Sequence, residues 1–196
     1  MQRHGPPFCT ALGFLVAFIV LCVLTVPAHA AGQGNVNFIL GQKALDEDDW
    51  TPPDLDTQRE SGVEVTWGGE SWPIQIATDF LASTKTDSLS GVDVQGTTWE
   101  WAFGVRKIWE AGPARPYLGG GLALVNVQVD IGSSSPNDSA LGTWIGGGVF
   151  WRLGSRFNIG LATRLSKATG NITNVDFEAG GLHYGLILGW GWPATR

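Results

Sequence analysis

The chain has 196 residues and only two cysteines, Cys9 and Cys22, both inside its first apolar stretch. Everything after Ala30 is free of cysteine, which excludes disulfides and thiolate metal sites from that part. Charge is sparse: Asp, Glu, Lys and Arg make up 15%, and the 12 basic residues are outnumbered by 18 acidic ones, for a net charge of −6. Such a complement offers no nucleic-acid surface. His183 is the single histidine after Ala30, and no G-x-S-x-G elbow accompanies it, so a histidine-dependent serine hydrolase lacks its usual sequence signature. What the chain has instead is 28 Gly and 10 Trp. Low charge with many Trp and Gly suits a lipid-facing barrel better than a water-soluble domain.

The first 30 residues read as a secretory signal peptide. Arg3 and His4 precede an apolar run from Ala11 to Val26, and Ala28-His29-Ala30 forms a small-residue cleavage site before Ala31. An uncleaved anchor is the alternative, but the run is short for a membrane-spanning helix. A lipoprotein reading at Cys22 is disfavoured because Leu21 stands where a small residue is needed. Residues 31–196 remain as one domain.

From Asn35 to Trp192 the chain alternates apolar with small or polar side chains, the mark of strands with two different environments. Eight strands are predicted: Asn35–Leu45, Gln58–Trp67, Pro73–Lys85, Thr97–Trp109, Pro116–Asp130, Leu141–Arg152, Phe157–Lys167 and Gly181–Trp192. The fourth is the clearest, with Trp99, Trp101, Phe103 and Val105 on one face and Glu100, Ala102, Gly104 and Arg106 on the other. In the fifth both faces carry apolar residues, so a bulge that switches the register is expected there. The sixth is ambiguous around Trp144 and Ile145.

The connections alternate as well. Gly68–Trp72, Glu110–Arg115 and Leu153–Arg156 are tight, with Gly or Pro as turn-formers. Asp46–Thr57, Thr86–Gly96, Ile131–Ala140 and Ala168–Gly180 are longer and polar. Trp67, Trp72, Trp109, Tyr117, Trp151, Phe157, Trp190 and Trp192 fall at the short-turn end, which predicts a ring of aromatics at one membrane interface. Trp99, Trp101 and Trp144 fall nearer the other end. The fold class expected is all-β, an eight-stranded antiparallel transmembrane up-and-down β-barrel, because an open sheet edge cannot survive in lipid.

The face opposite the apolar stripe carries Lys43, Glu64, Asp79, Glu100, Arg106, Arg152 and Arg164. In so narrow a barrel these charges must pair. A sealing network of Glu64, Asp79, Glu100, Arg106, Arg152 and Arg164 is expected, with no catalytic, cofactor or metal role. His183 falls on the inward face and reads as a satisfied core polar group. The first long loop, Asp46-Glu47-Asp48-Asp49-Trp50 with Asp54 and Asp56, lacks EF-hand spacing and reads as a solvated acidic loop.

The chain resembles the small outer-membrane β-barrels of the OmpA/OmpX type. The resemblance rests on Arg115-Pro116-Tyr117-Leu118-Gly119-Gly120-Gly121, on Val149-Phe150-Trp151-Arg152-Leu153-Gly154 leading into Phe157-Asn158-Ile159-Gly160, and on the terminal strand. There His183, Gly185, Leu188 and Trp190 match the signal read by the barrel-assembly machinery, although Pro193–Arg196 extends past the usual terminal aromatic. The resemblance implies a monomer in the bacterial outer membrane, in contact with its lipid. It also implies a non-enzymatic role in envelope structure or in loop-mediated binding or adhesion. A narrow channel or carrier for small hydrophobic or ionic solutes is the alternative. A lipid A deacylase would need a serine two residues after His183, where Gly185 stands. A soluble lipocalin-type barrel is contradicted by the outward Trp99, Trp101, Phe103 and Val105.

Overall fold

The computed structural model describes residues 32–132, 134–172 and 175–193. The expected leader lies outside the described residues. The strands are β1 (Gln33–Ala44), β2 (Thr57–Gly68), β3 (Gln75–Leu89), β4 (Val92–Ile108), β5 (Ala114–Ile131), β6 (Asn137–Leu153), β7 (Phe157–Lys167), β8 (Thr169–Ile172), β9 (Val175–Glu178) and β10 (Gly181–Trp192). All but β8 and β9 close into a barrel in the order β1-β10-β7-β6-β5-β4-β3-β2, each antiparallel to its neighbours. Closure between β1 and β10 pairs Val36 with Trp190 and Lys43 with His183. The fold is therefore a closed eight-stranded up-and-down barrel.

The long connections hold more structure than a polar loop. The first contains a one-turn helix, α1 (Glu47–Trp50), whose N-cap Asp46 accepts a hydrogen bond from the Asp48 amide at 3.0 Å. The last contains the small separate hairpin of β8 and β9. The expected loop Thr86–Gly96 is mostly strand: β3 and β4 run on to Leu89 and Val92 and turn at Ser90 and Gly91. Both turn residues have positive φ, 53° and 83°, as a tight hairpin matched to strand twist requires. Likewise β5 continues to Ile131 and β6 begins at Asn137.

No bulge interrupts β5. Its register runs unbroken from Val94↔Ile131 to Ile108↔Tyr117 against β4, and from Gln128↔Asn137 to Ala114↔Trp151 against β6. Both faces carry apolar residues for a different reason. Along the lower part, the outward residues are Leu118, Leu122 and Leu124, all exposed. Above Leu124 the outward residues become Asn126, Gln128 and Asp130, while Val125, Val127 and Val129 point inward. The alternation keeps its phase, but the polarity of the two faces is exchanged. The neighbouring β4 changes at the same height. Trp99, Trp101, Phe103 and Val105 are outward and exposed, whereas above them Thr97, Gln95 and Asp93 are outward and Val94 is buried.

This exchange locates the boundary between two solvents. Below it, the barrel presents a continuous apolar band in which Phe103 is 50% and Leu186 56% exposed. No water-soluble surface of that extent is stable, so the band belongs in hydrocarbon. Above it, β3, β4 and β5 project as a sheet that is polar outside; inside, β4 and β5 are apolar, the pattern of a strand in water, whereas β3 carries Ser83, Lys85 and Asp87 below Leu89. Of the aromatics expected in the interfacial ring, Trp67, Trp72, Trp109, Trp151, Phe157 and Trp190 are exposed at the short-turn end. Trp192 is half-buried, and Tyr117 departs from the ring altogether. It is buried inside the barrel against Phe150, with a ring-centre separation of 6.1 Å. Trp144 also points inward, and Ile145 outward.

Candidate functional site

The inward faces of β2, β3, β4 and β7 bring their charges to one level of the lumen. Arg106 Nη2 donates to Asp79 Oδ2 at 2.9 Å and to Glu64 Oε1 at 3.2 Å. Arg164, from the opposite wall, donates Nη1 to Glu100 Oε1 at 3.3 Å and Nη2 to Asp79, and its Nη2 stands 3.8 Å from Glu64. Both guanidiniums also face aromatic rings. Arg164 is over Trp144, and Arg106 is 4.9 Å from the centre of the Tyr117 ring. These charges are buried, so each is held by partners instead of by water. Arg152 stands apart from this network. It lies at the short-turn end, where its guanidinium donates to Asn35 and, at 3.1 Å, to Asn158. Strand spacing alone places it inward, but its height along the barrel puts it among amides and not carboxylates.

Above the arginines lies a second polar group. His183 Nδ1 is 2.6 Å from Glu60 Oε2, and its Nε2 is 3.0 Å from Ser166 Oγ. Lys43 reaches Thr98 Oγ1 at 3.2 Å and the Ala179 carbonyl at 3.0 Å. Ser166, His183 and Glu60 have the connectivity of a nucleophile, a base and an orienting acid. The surroundings are close. Ser166 is 1% exposed, and the free space beside His183 and Glu60 is a void of about 20 Å³, room for roughly one water.

Apolar side chains gather at the mouth of the barrel. Trp50 and Leu55 of the first loop pack down onto Val94, Val125, Val127 and Ala140. The Trp50 indole donates to the Glu178 carbonyl at 3.1 Å, and the Glu178 amide donates to Asp49 Oδ2 at 2.6 Å, so first and last loops are tied together. Lys85 on β3 holds Asp54 at 2.7 Å, and the Asp54 amide donates to Asp87 Oδ2 at 3.0 Å. The Asp56 carboxyl is held below the ordinary carboxylate range, first by its hydrogen bond with Asp54, then by Thr57 and the charge of Lys85. The loop expected to be a solvated acidic one does keep Asp46, Glu47, Asp48, Asp49 and Asp54 exposed, but it is also docked, through Trp50 and Leu55.

The interior thus sets the three buried acids of the expected network, Glu64, Asp79 and Glu100, against Arg106 and Arg164. Sequence reasoning missed Glu60 and Ser166, because they meet His183 only through the register of β2, β7 and β10. Of the residues in the terminal-strand motif, His183 lies on the inner face, whereas Leu188 and Trp190 are exposed on the outer one.

No protein-family model matches the sequence, and no curated protein matches it. Solved structures do match in shape. Neisserial surface protein A superposes with a TM-score of 0.54 at 13% identity, over 83% of this chain and 95% of that one. Ail, the attachment invasion locus protein of Yersinia pestis, gives 0.56 at 13% identity, over 82% and 99%. The outer membrane protein OprG from Pseudomonas aeruginosa gives 0.55 at 14% identity, over 85% and 99%. With its closed ring of strands, its apolar outer band and its charged, filled interior, the chain has the fold of the small eight-stranded outer-membrane β-barrels.

Proposed function

We propose that this protein is a closed, non-enzymatic barrel of the bacterial outer membrane that acts in envelope structure or through ligand binding at its loops. Residues 1–30 serve as its export leader. His183, Gly185, Leu188 and Trp190 serve as the signal by which the barrel-assembly machinery inserts it, as a monomer among outer-membrane lipids. The observation that carries this reading is the filling of the lumen. Arg106 and Arg164 bridge Glu64, Asp79 and Glu100 across the interior, and Trp50 and Leu55 cap the mouth. A solute would have to break buried ion pairs, whose separated charges cost several kcal/mol each, about 3–5. That Ail is named for attachment and invasion supports a surface-binding role among barrels of this shape.

Planar-bilayer recording of the refolded protein tests it. The expected trace is flat, with rare brief events. High, steady conductance would overturn the closed reading and put a narrow channel in its place.

A further inference from the structure

The projecting sheet of β3, β4 and β5 leaves part of its apolar inner face uncovered. Trp50 and Leu55 of the first loop cover one side, and between them and the sheet runs a groove of about 460 Å³ whose far wall is Leu89, Val92, Val129 and Ile131. Leu89, Val92 and Ile131 are 44%, 46% and 46% exposed. They lie above the level where the outer face turns polar at Thr97 and Asn126, so lipid does not cover them as it covers Phe103 or Leu122. Apolar side chains lining a concavity in water mark a site that gains from being filled, and the volume falls within the range of about 300–1,000 Å³ typical of small-molecule pockets.

Charge selects the occupant. Asp49 is the one charged residue lining the groove among the described residues, and the N-cap Asp46 and, on α1, Glu47 and Asp48 are exposed beside it. Lys85, the basic residue of the neighbouring strand, is engaged by Asp54 and Asp56. An anionic head group would enter this field against repulsion, whereas a cation gains from it. We propose that the groove binds a small cationic amphiphile, its chain along Val92, Val129 and Ile131 and its ammonium group beside Asp49. The proposal rests on the surface-binding reading above and gives that reading a ligand class.

The test uses the full barrel refolded in phosphatidylcholine nanodiscs with its methyl groups labelled for NMR. Decyltrimethylammonium, decyl maltoside and decyl sulfate are titrated as probes that share one chain and differ in head group. The expected result is saturable shifts at the Val92, Val129 and Ile131 methyls, with nuclear Overhauser contacts from the probe chain. The cation should bind up to about fivefold more tightly than the maltoside, the size expected for one exposed charge, and the sulfate most weakly. Ile131→Trp or Val92→Trp, which fill the groove from its exposed wall, should abolish the shifts. Asp49→Asn should bring the cation to the affinity of the maltoside.

Shifts confined to lipid-facing methyls such as Leu122 and Leu186 would show partition into the annulus and overturn the proposal. So would equal affinity for all three heads, or binding that survives both tryptophan variants. The underlying reading fails separately, through steady conductance, which the same nanodisc titration does not measure.

Discussion

The guanidinium of Arg164 lies 4.3 Å from the centre of the Trp144 ring, so that an inward tryptophan forms one wall of the buried charge network. The indole is fixed in turn by its Nε1, which donates to the Phe103 carbonyl at 3.3 Å. Trp144→Ala should therefore remove both packing and a cation–π face, with a loss of about 3–5 kcal/mol. Trp144→Phe keeps a ring over Arg164 and should lose distinctly less. Urea titration of folding into lipid vesicles measures both, and equal losses for the two variants would refute a role for the ring face.

Arg106 bridges Glu64 and Asp79, and removing it leaves two buried carboxylates facing Arg164 alone. Arg106→Met should cost about 3–5 kcal/mol. Arg106→Met combined with Glu64→Gln removes one charge of each sign, and should be less harmful than Arg106→Met alone because the remaining carboxylate Asp79 still faces Arg164. The folding midpoint decides the order. Additive losses would mean that the two side chains are not coupled.

The exchange of polarity at Thr97 predicts opposite outcomes for the same substitution on one strand face. Phe103→Arg places a charge in the apolar band and should destabilise folding into bilayers by about 2–4 kcal/mol if Phe103 lies near midplane. Gln95→Arg, further along the same outward face, lies above the boundary and should change stability by less than about 0.5 kcal/mol. A comparable loss at both positions would move the boundary above Gln95 and place the projecting sheet in lipid.

The parts of the fold set by local alternation are legible in the sequence. Trp99, Trp101, Phe103 and Val105 against Glu100, Ala102, Gly104 and Arg106 define the fourth strand and its orientation without further information. The rule that apolar means outward is what misleads. It ends β3 at Lys85 and begins β4 at Thr97, because above those points β4 continues with reversed polarity and β3 continues with polar residues on both faces, Thr86, Asp87 and Ser88, before Leu89. The same rule turns an uninterrupted β5 into an expected bulge. Trp144 and Ile145 cannot be ranked from sequence, since both are apolar. Space decides between them: a Cβ at Gly119 on the neighbouring strand would lie 3.1 Å from the Trp144 ring, so glycine there makes room for the indole. The meeting of Ser166, His183 and Glu60 depends on pairings such as His183↔Arg164 and on the curvature of a closed barrel, neither of which a single strand records.

The last prediction concerns which end of the barrel faces the medium. A chain that enters from the periplasm places its first connection outside, together with the projecting hairpins. Glu47 on α1 and Glu70 in the turn between β2 and β3 are both exposed, at opposite ends of the molecule. A glutamate-specific protease added to intact cells should cut after Glu47 and leave Glu70 untouched, while permeabilised cells should be cut at both. Docking of the first loop should slow the cut, because Trp50 is buried and the neighbouring Leu55 amide donates to the Trp50 carbonyl at 3.2 Å. Trp50→Ala should release the loop and speed cleavage after Glu47, since proteolysis of a locally opened segment follows the population of its open form. The variant should still record as closed in planar bilayers, because on the proposed reading it is the Arg106 and Arg164 bridges, beneath the apolar cap, that block the lumen. Cleavage at Glu70 alone in intact cells would invert the topology. Steady current through Trp50→Ala would show instead that the loop, and not the buried charges, is the seal.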